Sequence, residues 1–285
     1  MRRYIIWRDL PLTAKASFGI SFRGAFPDLI HAYLYFFGVW EPGISRVFRW
    51  HLRQGDRVID IGANIGAHTA LAAVLVGPAG RIHAIEASPN IFSQLKRNLD
   101  ANWLAQVIPY NVAASDVAGP VTVYLNDADN LGKTTILRHV ADHQRTTQET
   151  QVSGLPLADI VPHEDLKNAR LIKVDVEGAE WLVLQGMRDV IASIPPDCIV
   201  LVEAGSESLS HFGASFTALI NLFRESGHLP VYIANSYNPD FYIRTPARVL
   251  STILPLDASM LDLVFAMPEV IEKFLAKDIG DRSSS

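Results

Sequence analysis

Three things are scarce in this chain of 285 residues, and each scarcity excludes a class of protein. Cys198 is the one cysteine. A lone cysteine closes no internal disulfide and builds no thiolate metal site, so a reducing, cytoplasmic setting is expected. No apolar run approaches the roughly 20 residues that span a bilayer. The most apolar early stretch, 29–40, contains His31, and Arg8 and Asp9 cut the run Tyr4-Ile5-Ile6-Trp7 too soon for a secretion signal. Positive charge is scarce as well: 25 Lys and Arg against 30 Asp and Glu leave a formal charge of −5. A basic face dominates affinity for phosphate backbones, so nucleic acid is not an expected partner.

What is plentiful is core-forming material. Hydrophobic residues make up 49% of the chain and charged residues 19%, which excludes a chain disordered throughout and suits one large α/β domain. From residue 56 onward short β-branched runs alternate with helical patterns. Strands are predicted at 57–61, 81–85, 107–111, 121–125, 171–176, 199–203, 230–234 and 261–266. Helices are predicted at 69–76, from Ser88 onward with Ile91, Leu95, Leu99 and Trp103 on one face, at 179–191 and at 215–225. Such alternation implies parallel β-α-β units in a three-layer α/β fold. Residues 1–50 form an aromatic-rich, partly helical cap, with Asp28 capping a helix that Pro42 limits. Residues 51–276 form the main domain, in which polar 126–150 reads as a substrate lid, and 277–285 as a disordered tail. Tyr33, Tyr35, Phe36, Phe37 and Trp40 are expected to cover the core, the alternative being peripheral contact with a membrane surface.

The most informative segment is Asp60-Ile61-Gly62-Ala63-Asn64-Ile65-Gly66, placed where a strand feeds a helix. A dinucleotide fingerprint reads G-x-G-x-x-G; here Asn64 and Ala67 replace its second and third glycines. A pyrophosphate would sit badly there, which disfavours a nicotinamide oxidoreductase and suits a ligand without phosphates. Glu86 ends the next predicted strand, where a carboxylate accepts from both hydroxyls of a ribose; the alternative is a solvated Glu86 beside a packed turn.

A second acidic strand end follows 171–174. Asp175 and Glu177 share a side if the strand continues that far, and a cation between them would relieve their repulsion: a cofactor's positive group, Lys173 or a divalent metal. Glu180 has the alternative role of a helix N-terminal carboxylate. Glu203 ends another strand at the same sheet edge. His139 and His143 are four apart, as in a helical zinc pair, but lack an evident third ligand, and no metal site is expected.

Three segments resemble the FkbM family of S-adenosylmethionine-dependent methyltransferases: Trp40-Glu41-Pro42, Asp60 to Thr69, and Ile172-Lys173-Val174-Asp175-Val176-Glu177-Gly178-Ala179-Glu180. The resemblance spans roughly residues 38–205. It implies the class I methyltransferase fold, a Rossmann-like seven-stranded, mostly parallel sheet with an antiparallel last strand. It also implies S-adenosylmethionine as cofactor and methyl transfer to a hydroxyl of a sugar, polyketide or related small molecule. Carried onto this chain, Gly62, Asn64 and Gly66 bed the methionine part and Asp60 holds its ammonium. Glu86 takes the ribose, Asn111, Ala113 and Asp116 surround the adenine, and Glu41 closes over the cofactor. Such a reaction must remove an alcohol proton, for which Asp175 comes first, His68 second, with Glu177 beside them. The competing reading is a cofactor-binding scaffold without transferase activity.

Overall fold

The computed structural model describes residues 11–25, 28–125, 148–246 and 248–280. The N-terminal part opens with a hairpin, β1 (Pro11–Lys15) and β2 (Ser21–Ala25), which sequence periodicity did not predict. Helix α1 (Leu29–Phe37) follows, capped by Asp28, whose Oδ1 accepts the His31 N–H at 2.8 Å. Helix α2 (Pro42–His51) begins at the proline and leads to the sheet.

The predicted βα alternation then appears. Strand β3 (Arg57–Ile61) feeds α3 (Ala67–Val76), β4 (Arg81–Ile85) feeds α4 (Pro89–Ala101), and β5 (Val107–Tyr110) follows. The segment 121–125 leaves this series. Strand β7 (Gly119–Leu125) pairs with β8 (Gln148–Leu155), which also pairs with β6 (Ala113–Ala114), giving a separate three-stranded sheet. After the short helices α5 (Leu157–Ile160) and α6 (His163–Lys167) the main sheet resumes with β9 (Ala169–Val174), α7 (Glu180–Gly186) and α8 (Arg188–Ile191). Next come β10 (Ile199–Gly205), α9 (Ser206–His211), α10 (Phe216–Arg224), β11 (Leu229–Ile233), α11 (Pro239–Ile243), β12 (Leu250–Ser251), β13 (Met260–Ala266) and α12 (Pro268–Gly280).

The main sheet has the order β12-β11-β13-β10-β9-β3-β4-β5. Strand β13 inserts between β10 and β11 and runs antiparallel to both. This is the class I methyltransferase architecture, enlarged by an eighth strand: two-residue β12 extends the edge of β11. Alternation along the strands divides the core. Ile59 and Ile61 face a layer with Val183 and Leu184 of α7 and Leu219 and Phe223 of α10. Val58 and Ile82 face the opposite layer, with Phe48 of α2, Leu71 of α3, Leu95 of α4 and Phe274 of α12. Ala14, Phe22 and Leu34 of the N-terminal part seat on Ile65, Ala70 and Ile91, and the Ser21 and Arg23 N–H groups donate to Asn102, just past the end of α4, and Asn98 within it, at 2.9 and 3.0 Å.

Several expectations are corrected. Helix α4 stops at Ala101, and Trp103, placed by spacing on its buried face, is 90% exposed with φ 56°. The helix expected over 179–191 is broken at Met187. Gly186 packs so tightly on the Ser115 carbonyl that no Cβ fits between them. Residues 277–280, assigned to a disordered tail, belong to α12. There the buried Asp278 accepts the Val249 and Leu250 N–H groups at 3.0 Å each and so pins the edge strand β12. Of the aromatic cluster, Tyr33, Phe37 and Trp40 pack with Tyr237 and Tyr242, whereas Tyr35 and Phe36 are exposed. Residues 281–285, most of the 126–150 segment, and both His139 and His143 lie outside the described residues. Among the described residues no helix is long and apolar enough to cross a membrane.

Candidate active site

The first βα loop is built around a close approach. Gly62 has φ 81°, and a Cβ there would fall within the Asp175 carbonyl oxygen, so only glycine lets the loop close on the end of β9. The Gly62 and Ala63 N–H groups both donate to the Ile85 carbonyl, at 2.9 and 3.0 Å. Asn64 takes a left-handed conformation, φ 52°, and turns its own N–H onto Glu86. Gly66 does not reach the site. It starts α3 at φ 93°, and its added Cβ would meet Leu95 at 2.7 Å, so its role is packing rather than bedding a ligand.

Above the carboxyl ends of the strands lies a cavity of about 370 Å³. One half stands over β3 to β5. Glu86 Oε2 accepts the Asn64 N–H at 3.0 Å and Oε1 the Ser88 N–H at 2.8 Å. Burial pushes this carboxyl up to about 7 against those two bonds. A carboxylate has roughly four lone-pair positions, so capacity for two ligand hydroxyls remains. Beyond Glu86 the wall is apolar: Ile91, Val112, Ala113, Ala114, Val121 and Val123, with Ser115 at its edge. Ser115 is the alternative to Asp116 that the sequence also offered for the adenine amino group, whereas Val121 and Val123, which the three-stranded sheet brings to this wall, were missed by sequence reasoning. Two expected adenine neighbours are displaced. Asn111 is exposed and its amide bridges the Glu86 and Ala87 carbonyls at 2.9 and 3.0 Å, and the exposed Asp116 accepts from Ser115 Oγ at 3.1 Å. Neither lines the cavity, which this segment reaches only through Val112 to Ser115.

Beneath the centre, buried Asp60 accepts from Thr69 Oγ1 at 2.5 Å through Oδ2, while its Oδ1 has no hydrogen-bond partner among the described residues. Burial raises its pKa, with Lys173 and Thr69 opposing. Lys173 Nζ stands 3.9 Å from Asp60 Oδ1 and 2.7 Å from Asp175 Oδ2. Burial alone would lower this ammonium; Asp175, Asp60 and Glu41 overrule it and hold it well above the usual lysine range. Lys173 is therefore the cation of the acidic strand end. Strand β9 ends at Val174, and Glu177 adopts φ 55°, so strand alternation does not bring Asp175 and Glu177 together; the turn does, and both line the cavity. Glu180 keeps the structural role: its Oε1 accepts the Gly178 N–H at 2.8 Å and fastens that turn.

The other half of the cavity is acidic and aromatic. Glu41, the left-handed residue before α2, is buried. Its Oε1 accepts from Tyr237 Oη at 2.7 Å and from the Asn235 amide at 3.2 Å. Burial, then the charges of Asp262 and Asp175, push it up to about 8. His68, in the first turn of α3, places Nε2 3.7 Å from Glu41 Oε2; neither atom has a hydrogen-bond partner among the described residues. Burial and Lys173 lower the His68 pKa well below the ordinary value, so the imidazole is neutral. Glu203 also lines the cavity, and burial with neighbouring carboxylates raises its pKa strongly. Among the described residues no group of three or more His, Cys, Asp or Glu is arranged to hold a metal.

The residues fit a phosphate-free nucleoside with a positive sulfur centre. The apolar slot suits a base and Glu86 a diol. The unpartnered Asp60 Oδ1 and the acidic centre suit positive charge. Among the described residues Lys173 is the one Lys or Arg in the wall, and it is already paired with Asp175 rather than free for a pyrophosphate.

The model of the methyltransferase FkbM domain matches residues 60–230, more than half of the chain. Methyltransferase 1 of Beauveria bassiana is 32% identical over 146 residues, 46% of this chain and 58% of that protein. The 31-O-demethyl-FK506 methyltransferase FkbM of Streptomyces tacrolimicus is 30% identical over 162 residues, 48% of this chain and 62% of that one. The hexuronic acid methyltransferase AglP of Haloferax volcanii is 25% identical over 154 residues, 54% and 59% respectively. The chain thus spans about three-fifths of the length of these curated relatives. Among solved structures, the methyltransferase FkbM of Methylobacillus flagellatus KT aligns over 84% of this chain and 54% of its own, at 13% identity and a TM-score of 0.45. The chain belongs to the FkbM family of S-adenosylmethionine-dependent methyltransferases.

Proposed function

We propose that the protein methylates a hydroxyl of a small sugar- or polyketide-like acceptor. The observation that carries this reading is the Glu41–His68 pair. A neutral imidazole nitrogen and a Glu41 carboxyl oxygen stand 3.7 Å apart in the same cavity, both without hydrogen-bond partners among the described residues. When bound, S-adenosylmethionine supplies a methyl carbon on a good leaving sulfur. The protein's remaining task is to orient the acceptor oxygen and take its proton, because an alcohol does not ionise unaided at neutral pH. In this reading His68 Nε2 takes the proton and Glu41 stabilises the imidazolium that forms. Asp175, the first candidate from sequence, has one oxygen engaged by Lys173 at 2.7 Å, which suits it to orienting the acceptor. Glu177, exposed at the cavity mouth, contacts the acceptor's outer part. Glu86, Asp60, Gly62 and Asn64 hold the cofactor. The names of two relatives, which refer to a demethyl-FK506 and to hexuronic acid, support a hydroxylated acceptor.

The test is incubation of the protein with isotopically labelled methyl donor and a small-molecule extract, read by mass spectrometry. An O-methylated product is expected. Cofactor binding without any methylated product would instead identify a scaffold.

A further inference from the structure

The cofactor half of the cavity, over β3 to β5, leaves the half over β9, β10 and β13 for the acceptor, and that half carries an arrangement a folding core does not need. The antiparallel register of β10 and β13 sets Glu203 directly opposite Asp262. Like charges directly opposite destabilise a sheet, and the positions around them hold Val202, Ala204, Leu261 and Leu263. Glu41 joins the pair through Asn235, which follows β11 and donates to Glu41 Oε1. Lys173 offsets this corner only from a distance, since its ammonium is bonded to Asp175 and lies 3.9 Å from Asp60.

The unpartnered atoms there are mainly acceptors. Glu41 is 1% exposed, lines the cavity and has no partner on Oε2; Asp262 is 8% exposed and has none on Oδ1; Asn235 Oδ1 is likewise unpartnered among the described residues. Burial and their acidic neighbours hold Glu41, Glu203 and Asp262 toward their neutral forms, and a cation placed among them would let them ionise where they stand. An ammonium supplies three donors and a positive charge at once. Trp40 and Tyr237, stacked with ring centroids 5.3 Å apart, both line the cavity beside Glu41 and offer aromatic faces, which attract cations. No metal-holding group exists among the described residues to serve as the alternative cation site.

We infer that the acceptor carries a protonated amine, as an amino sugar or comparable amino alcohol does, and that its ammonium is held between Glu41 and Glu203 against the Trp40–Tyr237 wall, with Asp262 beside Glu203 adding its charge. This rests on the proposed hydroxyl methylation and narrows its substrate class. It also separates this chain from a methyltransferase for uronic acids, whose carboxylate the same corner would repel.

The experiment is calorimetry on the full chain saturated with S-adenosylhomocysteine, titrated with four matched probes: glucosamine, N-acetylglucosamine, glucose and glucuronate. Glucosamine is expected to bind about tenfold or more tightly than the others, the scale of one charge-assisted contact. Glu203→Gln and Asp262→Asn, isosteric changes that relieve repulsion, are expected to keep the parent's thermal transition and to erase that preference. Equal affinities, a preference for glucose or glucuronate, or no heat from glucosamine overturns the inference. The labelled-methyl assay separates it from the reading beneath it. A neutral O-methylated product removes the amine and leaves hydroxyl methylation standing, whereas methylation on nitrogen alone removes the hydroxyl reading and leaves the amine site.

Discussion

His68 Nε2 lies 3.7 Å from Glu41 Oε2, too far for a hydrogen bond and close enough for one ligand atom to touch both. The first belongs to the first turn of α3, the second to the left-handed residue before α2. Tyr237 and Asn235, which follow β11, hold the carboxylate from the other side, so three segments far apart in the chain meet at one point.

If this pair handles the acceptor proton, His68→Gln and Glu41→Gln each lower kcat by about 10²-fold or more, the scale of general-base catalysis. The double variant loses little beyond the worse single one, because the two act as a unit. Single-turnover methyl transfer measures this, with calorimetry of S-adenosylhomocysteine to show that the cofactor half is intact. Full turnover in both single variants returns the role to Asp175.

Glu86→Ala weakens cofactor binding by about 1.5–3 kcal/mol, the range for a hydrogen bond to a charged group. The same change frees the Asn64 and Ser88 N–H groups, so a lower thermal midpoint accompanies it. Calorimetric affinity indistinguishable from the parent's would remove Glu86 from the ribose site.

Gly62→Ala combines a strained positive φ with a clash against the Asp175 carbonyl and destabilises the fold by about 4 kcal/mol or more. Gly55→Ala is the control: it shares a positive φ, 87°, but meets no atom, so it costs about 1 kcal/mol. Urea unfolding of the two variants distinguishes steric closure from backbone strain.

The ligand-free protein loses stability as pH rises from about 6.5 to about 8. Burial holds Glu41 up to about 8 and Glu86, Glu180 and Asp262 up to about 7. Their unfolded values are roughly 4, so above that the native state keeps protons the unfolded chain has lost, and stability falls as pH climbs. The buried histidines, with His51 lowered to about 3 and His68 lowered well below its usual value, act in the opposite direction. Their effect ends near roughly 6.5, where the unfolded imidazole has lost its proton. The decline is therefore expected above that point, read as the thermal midpoint across a pH series. A midpoint that climbs over this window contradicts the assignment of buried acids.

The amino-acid order alone determined the parts that one strand-turn-helix unit contains. Asp60 to Gly66 and Glu86 were legible because the loop and the next strand end are local, and alternation of apolar runs located nearly all the main-sheet strands. Local periodicity also misled: it kept Trp103 on a buried face and ran one helix across Gly186. Only the tertiary structure decided the rest. The β6–β8–β7 sheet brought Val121 and Val123 to the apolar cavity wall, sheet register set Glu203 against Asp262, and the turn after β11 carried Asn235 and Tyr237 to Glu41. Those contacts depend on strand order and register between segments distant in sequence. Side-chain spacing within one segment carries no information about which strand it will lie beside.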